Sequence, residues 1–311
     1  MDNKLQLLKT KKQLLDKYKP FSKEIELNLH EWFRVELTYT SNAIEGNTLT
    51  RQETALVVDE GLTVEGKSLT EHQEAINHSL ALDYVYTLAN QKQKLSLNEI
   101  LEIHNIILNK IDDSNKGRLR TVSVRLKGSE TILPNPLKVP ELMNDFVLWL
   151  QNEDQGNPIK FAIDAHFKFV TINPFVDGNG RVGRLLMNLL LIRAGFPPAI
   201  IRKEDRNEYV KSLEKGQTKQ EMDSYFTLMI NAVDRSLDIY LEALNPKEEN
   251  VNEIQEKRFL TTDEVAKLLQ VDPESVRRYV RRGDLKAVKL GGKFIRIEKE
   301  DLDKFIENLK K

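Results

Sequence analysis

The 311-residue chain contains no cysteine, which excludes disulfides, thiolate metal sites and a cysteine nucleophile. It also lacks any run of about 18 apolar residues, the length a bilayer-spanning helix requires. The opening segment, MDNKLQLLKTKKQLLDKYK, carries a charge every few residues where a signal peptide would be apolar, so the cytoplasm is the expected location. Neither sign of charge dominates: 47 Lys and Arg stand against 48 Asp and Glu, a net of −1. No global field therefore draws the chain to nucleic acid or to a membrane, and any such contact must come from a local patch. What remains is ordinary for a folded protein, 40% hydrophobic and 31% charged. The length allows one sizeable core and a smaller second domain.

Helical signals dominate. Leu5, Leu7, Leu8, Leu14 and Leu15 make an amphipathic opening segment that stops near Pro20. A second helix is expected from about Ser22 towards Ile44, with Gly46 suited to its end. Thr50 with Glu53, Ser96 with Glu99 and Thr261 with Glu264 have the spacing of capping boxes and announce later helices. The clear β signal before residue 250 is Arg118–Leu126, where Val122 and Val124 alternate with polar residues. Gly128-Ser129 then supplies a turn before Ile132 and Leu133, which reads as a hairpin. Pro140 opens a helix through Leu150, and helices are expected over 159–170 and 182–194. A polar, charged stretch, Asn245-Pro246-Lys247-Glu248-Glu249-Asn250, reads as the start of a linker.

The most informative segment runs Asn173-Pro174-Phe175-Val176-Asp177-Gly178-Asn179-Gly180-Arg181-Val182-Gly183-Arg184, between two apolar helical stretches. Gly178 and Gly180 permit left-handed or tight backbone, so successive amides can face one concavity at the start of the next helix. That helix end adds partial positive charge. Arg181 and Arg184 lie three apart and offer forked donors to phosphate oxygens, while Asp177 is an oxygen ligand placed where Mg²⁺ could bridge phosphates. A lone Gly-x-Gly could equally be a helix cap beside surface ion pairs. An acid before the glycines and two arginines after them point to phosphate.

This segment resembles the Fic-family signature, His-Pro-Phe-x-Asp/Glu-Gly-Asn-Gly-Arg-x-x-Arg, and matches every fixed position except the first, where Asn173 stands in place of His. The similarity extends over roughly residues 20–240. The resemblance implies a helical Fido fold that binds Mg·ATP and moves AMP onto a hydroxyl of a protein target, releasing pyrophosphate. It implies Asp177 as the Mg²⁺ ligand, and Gly178, Asn179 and Gly180 as the phosphate cradle. Arg181 and Arg184 would clamp the β- and γ-phosphates, and Tyr209 and Gln217 would lie beside the nucleoside. The hairpin tip Gly128, Ser129, Glu130 and Thr131 would be the flap that aligns the target. The enzyme class so implied is a protein adenylyltransferase.

Asn173 bears directly on activity. The family's His takes the proton from the attacking hydroxyl, and a carboxamide has no lone pair basic enough to do so. Losing a general base costs ~10²–10⁴ in rate, so AMP transfer is expected to be very slow. His166, the nearest histidine in sequence, reads as structural. A natural variant with another role and a deliberately inactivated sequence both fit Asn173. Upstream, Ser41-x-x-x-Glu45-Gly46 resembles the family's inhibitory motif, in which the Glu45 carboxylate would pair with Arg184 and exclude the γ-phosphate.

From Thr261 a capped helix, a short turn, a second helix over 274–282 and two alternating strands around Gly291-Gly292 resemble the winged helix-turn-helix modules of excisionase-like regulators. In such modules the second helix enters the major groove. Arg277, Arg278, Arg281 and Arg282, with Lys293 in the wing, are the expected DNA contacts. The fold class expected is therefore mainly α: a Fido-fold helical domain with a β-hairpin flap, plus a small winged helix-turn-helix domain. The expected division is an N-terminal helical region with the inhibitory motif over 1–95, a Fic core over 96–244, a linker over 245–258 and the module over 259–311. The partners read from the sequence are ATP with Mg²⁺, a protein target, double-stranded DNA and a second copy of the chain, with no membrane. The alternative to an autoinhibited AMP transferase is a non-catalytic ATP-binding regulator coupled to DNA binding.

Overall fold

The computed structural model describes residues 2–244 except 92, 127 and 153–155, and residues 259–309 except 291–293. The chain forms two compact units, residues 1–244 and 245–311. The expected linker over 245–258 lies outside the described residues.

The first unit is helical: α1 Asp2–Asp16, α2 Lys23–Glu45, α3 Arg51–Asp59, α4 Leu69–Asn90 and α5 Leu97–Ile107 are followed by α6 Val139–Leu150, α7 Pro158–Ile172, α8 Asn179–Arg193, α9 Arg206–Lys219 and α10 Asp223–Leu244. Local chemistry sets the ends. The Ser22 hydroxyl accepts the Ile25 amide at the start of α2, and Gly46, at φ 110°, ends it with a conformation that suits glycine. Reciprocal capping boxes at Thr50–Glu53 and Ser96–Glu99 open α3 and α5, and Ser68–Glu71 does the same for α4.

The centre of the unit is α8, where Val182, Leu185, Leu186, Met187, Leu189 and Leu191 are all buried. Arg181, Arg184 and Asn188 are buried on α8 as well, so the helix is enclosed on nearly every side, packing most extensively on α7 and next on α4. Gly183 allows the α7 approach, since a Cβ there would sit 2.9 Å from Val170 Cγ1. Phe33, Leu82, Ile103, Met143, Phe169 and Tyr225 complete the core, each burial being worth roughly 1.5–3 kcal/mol. The result is a rigid frame around the N-terminal end of α8.

The second unit has β1 Phe259–Leu260, α11 Thr262–Leu269, α12 Pro273–Arg282, β2 Val288–Leu290, β3 Phe294–Glu298 and α13 Lys299–Leu309. Its three strands are ordered β1-β3-β2, both pairs antiparallel, with Leu260 opposite Ile297 and Val288 opposite Arg296. Leu260, Val265, Val276, Leu285, Ile297 and Leu302 form a separate small core.

The hairpin expected over 118–134 is not formed: no strand is present there among the described residues. The Ser129 amide donates to the Leu126 carbonyl in a turn, but side chains take up backbone groups on both limbs. The Arg120 guanidinium donates to the Val122 and Pro134 carbonyls, and the Glu214 carboxylate accepts the Glu130 amide. Pro134 and Pro136 have no amide to give to a ladder.

Candidate functional site

Helix α7 ends at Asn173, whose backbone is left-handed at φ 49°, ψ 62°, a conformation Asn tolerates better than most residues. The chain then loops through Pro174–Gly178 before α8 begins. Asn179 ties this loop: its Oδ1 accepts the Phe175 amide and its Nδ2 donates to the Phe175 carbonyl, both at 2.9 Å. Phe175 is fully buried under the ring of His104, stacked at 3.6 Å between centroids with 4° between planes. His104 Nδ1 accepts the Gly117 amide at 3.0 Å, so the ring proton lies on Nε2, which donates to the Asp177 carbonyl at 3.1 Å. Burial drives the His104 pKa down to about 4, against a smaller opposing pull from the Asp177 carbonyl. The imidazole is neutral and serves as a fixed clip on the loop. Nothing in its local sequence marked it for that role.

Gly178, at φ 78°, precedes α8 and gives it no side-chain cap. The first-turn amides of α8 therefore have no side-chain acceptor at the cap, and the helix end is suited to an anion. A Cβ on Gly180 would fall 2.3 Å from Glu45 Oε1, so the Glu45 carboxylate already lies against this helix end.

Arg184 is the hub. Its Nε donates to Ser41 Oγ at 3.0 Å, and its Nη2 donates to the Ser41 carbonyl at 2.9 Å and to Glu45 Oε1 at 2.7 Å. Its Nη1 is buried beside Tyr209 with no hydrogen bond of good geometry. Partial burial would raise the Glu45 pKa, but Arg184, then Arg181 and Arg206, outweigh it and hold the carboxyl below its ordinary value. Arg206 also fixes the end of α2 by donating to the Ile44 carbonyl at 2.6 Å.

A cavity of about 280 Å³ opens here, lined by Glu45, Gly128, Ser129, Asn173, Asn179, Gly180, Arg184, Arg206, Tyr209 and Gln217, with Leu126, Val210 and Leu213 as apolar wall. Its volume is at the lower edge of ordinary ligand sites. Several predicted residues thus meet in one place. Asp177, Gly178 and Arg181 are not among the lining residues, and Arg181 is buried and donates to Glu74 at 3.0 Å and to Asp177 at 3.3 Å. Tyr209 turns its hydroxyl to His166 Nε2 at 2.9 Å, and Gln217 is engaged by Thr131 and Thr171.

His166 is fully buried with both ring nitrogens occupied, Nδ1 lying 2.7 Å from the Tyr225 hydroxyl. Burial, helped by Arg184, takes its pKa to about 3. It holds no free lone pair for an incoming hydroxyl. Asp177, by contrast, is 66% exposed at the start of α8. One exposed carboxylate beside an anion-binding helix end fits Mg²⁺, which takes one or two carboxylates together with phosphate oxygens and waters. No cluster of three or more His, Asp or Glu that could hold a metal by itself occurs among the described residues.

In the second unit, Arg277, Arg278, Arg281 and Arg282 are exposed on α12. Glu274, one turn earlier, pairs with Arg277 at 3.3 Å and with Arg281. Lys293 lies outside the described residues.

Residues 94–191 match the Fic/DOC family. The fold extends the match: a solved fragment of Fic-1 from C. elegans superposes with a TM-score of 0.69 at 31% identity, over 78% of this chain and 71% of that one. The chain belongs to the Fic/DOC family. Among curated Fic relatives, Protein adenylyltransferase Fic of Drosophila grimshawi is 38% identical over 207 residues, 66% of this chain and 42% of its own length. The namesake of Nematostella vectensis is 39% identical over 206 residues, 65% of this chain and 48% of its own. The chain therefore spans less than half the length of the curated Fic proteins it matches. A Fic domain containing signaling protein from Bacteroides thetaiotaomicron has a TM-score of 0.70 at 26% identity, over 79% of this chain and 99% of its own. Residues 259–310 match a helix-turn-helix domain, outside the Fic span. No helix of the described residues is long and apolar enough to cross a membrane.

Proposed function

We propose that this chain is an autoinhibited protein AMP transferase scaffold that binds Mg·ATP and, with Asn at position 173, turns over very slowly. The observation that carries the reading is the 2.7 Å pair between Glu45 Oε1 and Arg184 Nη2 at the uncapped end of α8. An arginine buried at an anion-binding helix end and already neutralised by a carboxylate is the arrangement expected of a phosphate site held shut.

In the reaction, an acceptor hydroxyl attacks the α-phosphorus of ATP, the bond to the pyrophosphate oxygen breaks, and the hydroxyl proton must leave. The first-turn amides of α8 and Arg184, once freed of Glu45, orient the phosphates. Asp177 would hold Mg²⁺, which supplies countercharge to the phosphate oxygens. Asn173 can accept a hydrogen bond from the hydroxyl but cannot take its proton, and His166 is committed to two tyrosines. Proton removal falls to solvent.

Asn173→His is expected to raise AMP transfer by ~10²–10⁴, and Glu45→Gly to raise it further. Transfer of label from ATP labelled at the α-phosphate checks this. Labelling by the Asn173 chain as fast as by the Asn173→His variant would sink the general-base assignment.

The second reading, a non-catalytic ATP-binding regulator coupled to DNA, is favoured by Asn173 itself. The helix-turn-helix match and the exposed α12 arginines support DNA binding by residues 259–310.

A further inference from the structure

Arg120 lies in the segment entering the flap and is 2% exposed, yet no carboxylate pairs with it among the described residues. Every acceptor it meets is a main-chain carbonyl. Nε donates to Asn173 at 2.8 Å, Nη1 to Val122 at 3.2 Å and Nη2 to Pro134 at 2.7 Å. Its own amide donates to the Pro174 carbonyl at 2.9 Å. The guanidinium thus joins the outgoing limb of the flap, its returning limb and the first residue of the Fic motif, and the Arg120 amide adds the second. Burying a cation costs several kcal/mol unless it is fully bonded, so this fork has a strong reason to keep its geometry.

At the other end, α9 holds the tip. Glu214 Oε1 accepts the Ser129 hydroxyl and the Glu130 amide, both at 2.7 Å, and Gln217 Oε1 accepts the Thr131 hydroxyl at 3.1 Å. Charge-assisted bonds of this length are the stronger kind. The apolar side chains of the segment between give it little packing: Val122 is 54% exposed and Ile132 94%. Without a strand ladder, its shape rests on these side chains.

We infer that Arg120 and Glu214 are positioning residues that fix the flap at base and tip, and so set how a protein hydroxyl is presented beside position 173. This rests on the AMP-transfer reading for its consequence, while the clamp itself is tested without it. A protein acceptor needs the flap for alignment, whereas water, the competing acceptor that yields AMP and pyrophosphate, does not.

Two measurements on the full chain decide. In the first, amide exchange of the Asn173 protein is followed by mass spectrometry. Glu214→Ala and Arg120→Lys should each speed exchange over 128–131 by about tenfold, with 178–190 unchanged and Glu214→Gln in between. Arg120→Lys keeps the charge and avoids an empty buried site. In the second, Asn173→His is the parent, and self-labelling is divided by pyrophosphate released. Glu214→Ala should lower that ratio about fivefold or more, because alignment and not phosphate binding is impaired. Parental exchange rates in both flap variants, or a ratio that stays at the parental value, overturn the clamp. If the Asn173→His parent releases no pyrophosphate, the AMP-transfer reading falls, and the exchange result still decides on the clamp.

Discussion

The Glu45 carboxylate occupies the space that a side chain at Gly180 would need: a Cβ at position 180 would stand 2.3 Å from Glu45 Oε1, well inside contact distance. Arg184 Nη1 lies 3.0 Å from the same point. Gly180→Ala should therefore push the half-exposed Glu45 carboxylate off Arg184 and cost the resting chain about 1 kcal/mol, the worth of one hydrogen bond to a charged group. Most of that cost should vanish in the Glu45→Gly background, where the colliding carboxylate is gone. A double-mutant cycle in urea checks the coupling. Additive effects would mean that Glu45 does not rest on the helix end.

Removing the Glu45 carboxylate should tighten ATP binding. Arg184 Nη2 then has one acceptor fewer, and one charge-assisted hydrogen bond passes to the nucleotide. An effect of about five- to tenfold is expected, equivalent to ~1–1.4 kcal/mol. Calorimetric titration of Glu45→Gly against the parent reads it. Equal affinities would leave Glu45 without an inhibitory role.

The same pair has a pH signature. The folded-state pKa of Glu45 is lowered from 4.5, so its contribution is complete above that value and is lost as pH falls through the lowered one. The buried histidines act in a higher window. Burial takes His78 and His166 to about 3 and His104 to about 4, whereas the unfolded chain protonates each near 6.5. Their contribution is complete above 6.5 and falls steadily towards pH 4 as the unfolded state takes up protons. His104→Gln should remove one proton from the uptake on unfolding at pH 5, measured as the pH dependence of the urea midpoint. It should also cost about 1–3 kcal/mol at neutral pH, since the Gly117 and Asp177 bonds are disturbed.

The motif from Asn173 to Arg184 was legible because its residues are contiguous in sequence, and the helix starts at Ser22, Thr50, Ser96 and Thr261 are likewise local. The helix Leu69–Asn90 was not legible. His72, Asn77, His78 and Ser79 are buried within it, which erases the apolar stripe that marks a helix. The flap misled in the opposite sense. Val122 and Val124 alternate as strand residues do, but the ladder they imply is replaced by bonds from Arg120 and Glu214. Those partners are remote in sequence: Glu214 lies 85 positions from Ser129, and Arg120 lies 53 from Asn173. A pattern read over a short window cannot see them.

The DNA-binding proposal turns on Glu274. Residues 257–311 carry 15 Lys and Arg against 10 Asp and Glu, a net of +5, which leaves 32 against 38, or −6, for residues 1–256. The basic face needed for a phosphate backbone is therefore local, and within it Glu274 engages both Arg277 and Arg281. These arginines are exposed, so their pairing with Glu274 is worth little in water and can be exchanged for phosphate. Glu274→Gln should strengthen binding of the full chain to a mixed-sequence duplex at low salt by about two- to fivefold, since a repelling charge is removed and two cations are released. Replacing Arg277 and Arg281 together by Ala should weaken binding and flatten the log–log salt dependence by about two units, one for each phosphate no longer neutralised. Fluorescence anisotropy at two salt concentrations reads both effects. Binding that ignores Glu274 and both arginines would move the recognition surface off α12, and no binding at low salt would make the second unit a protein-contact module.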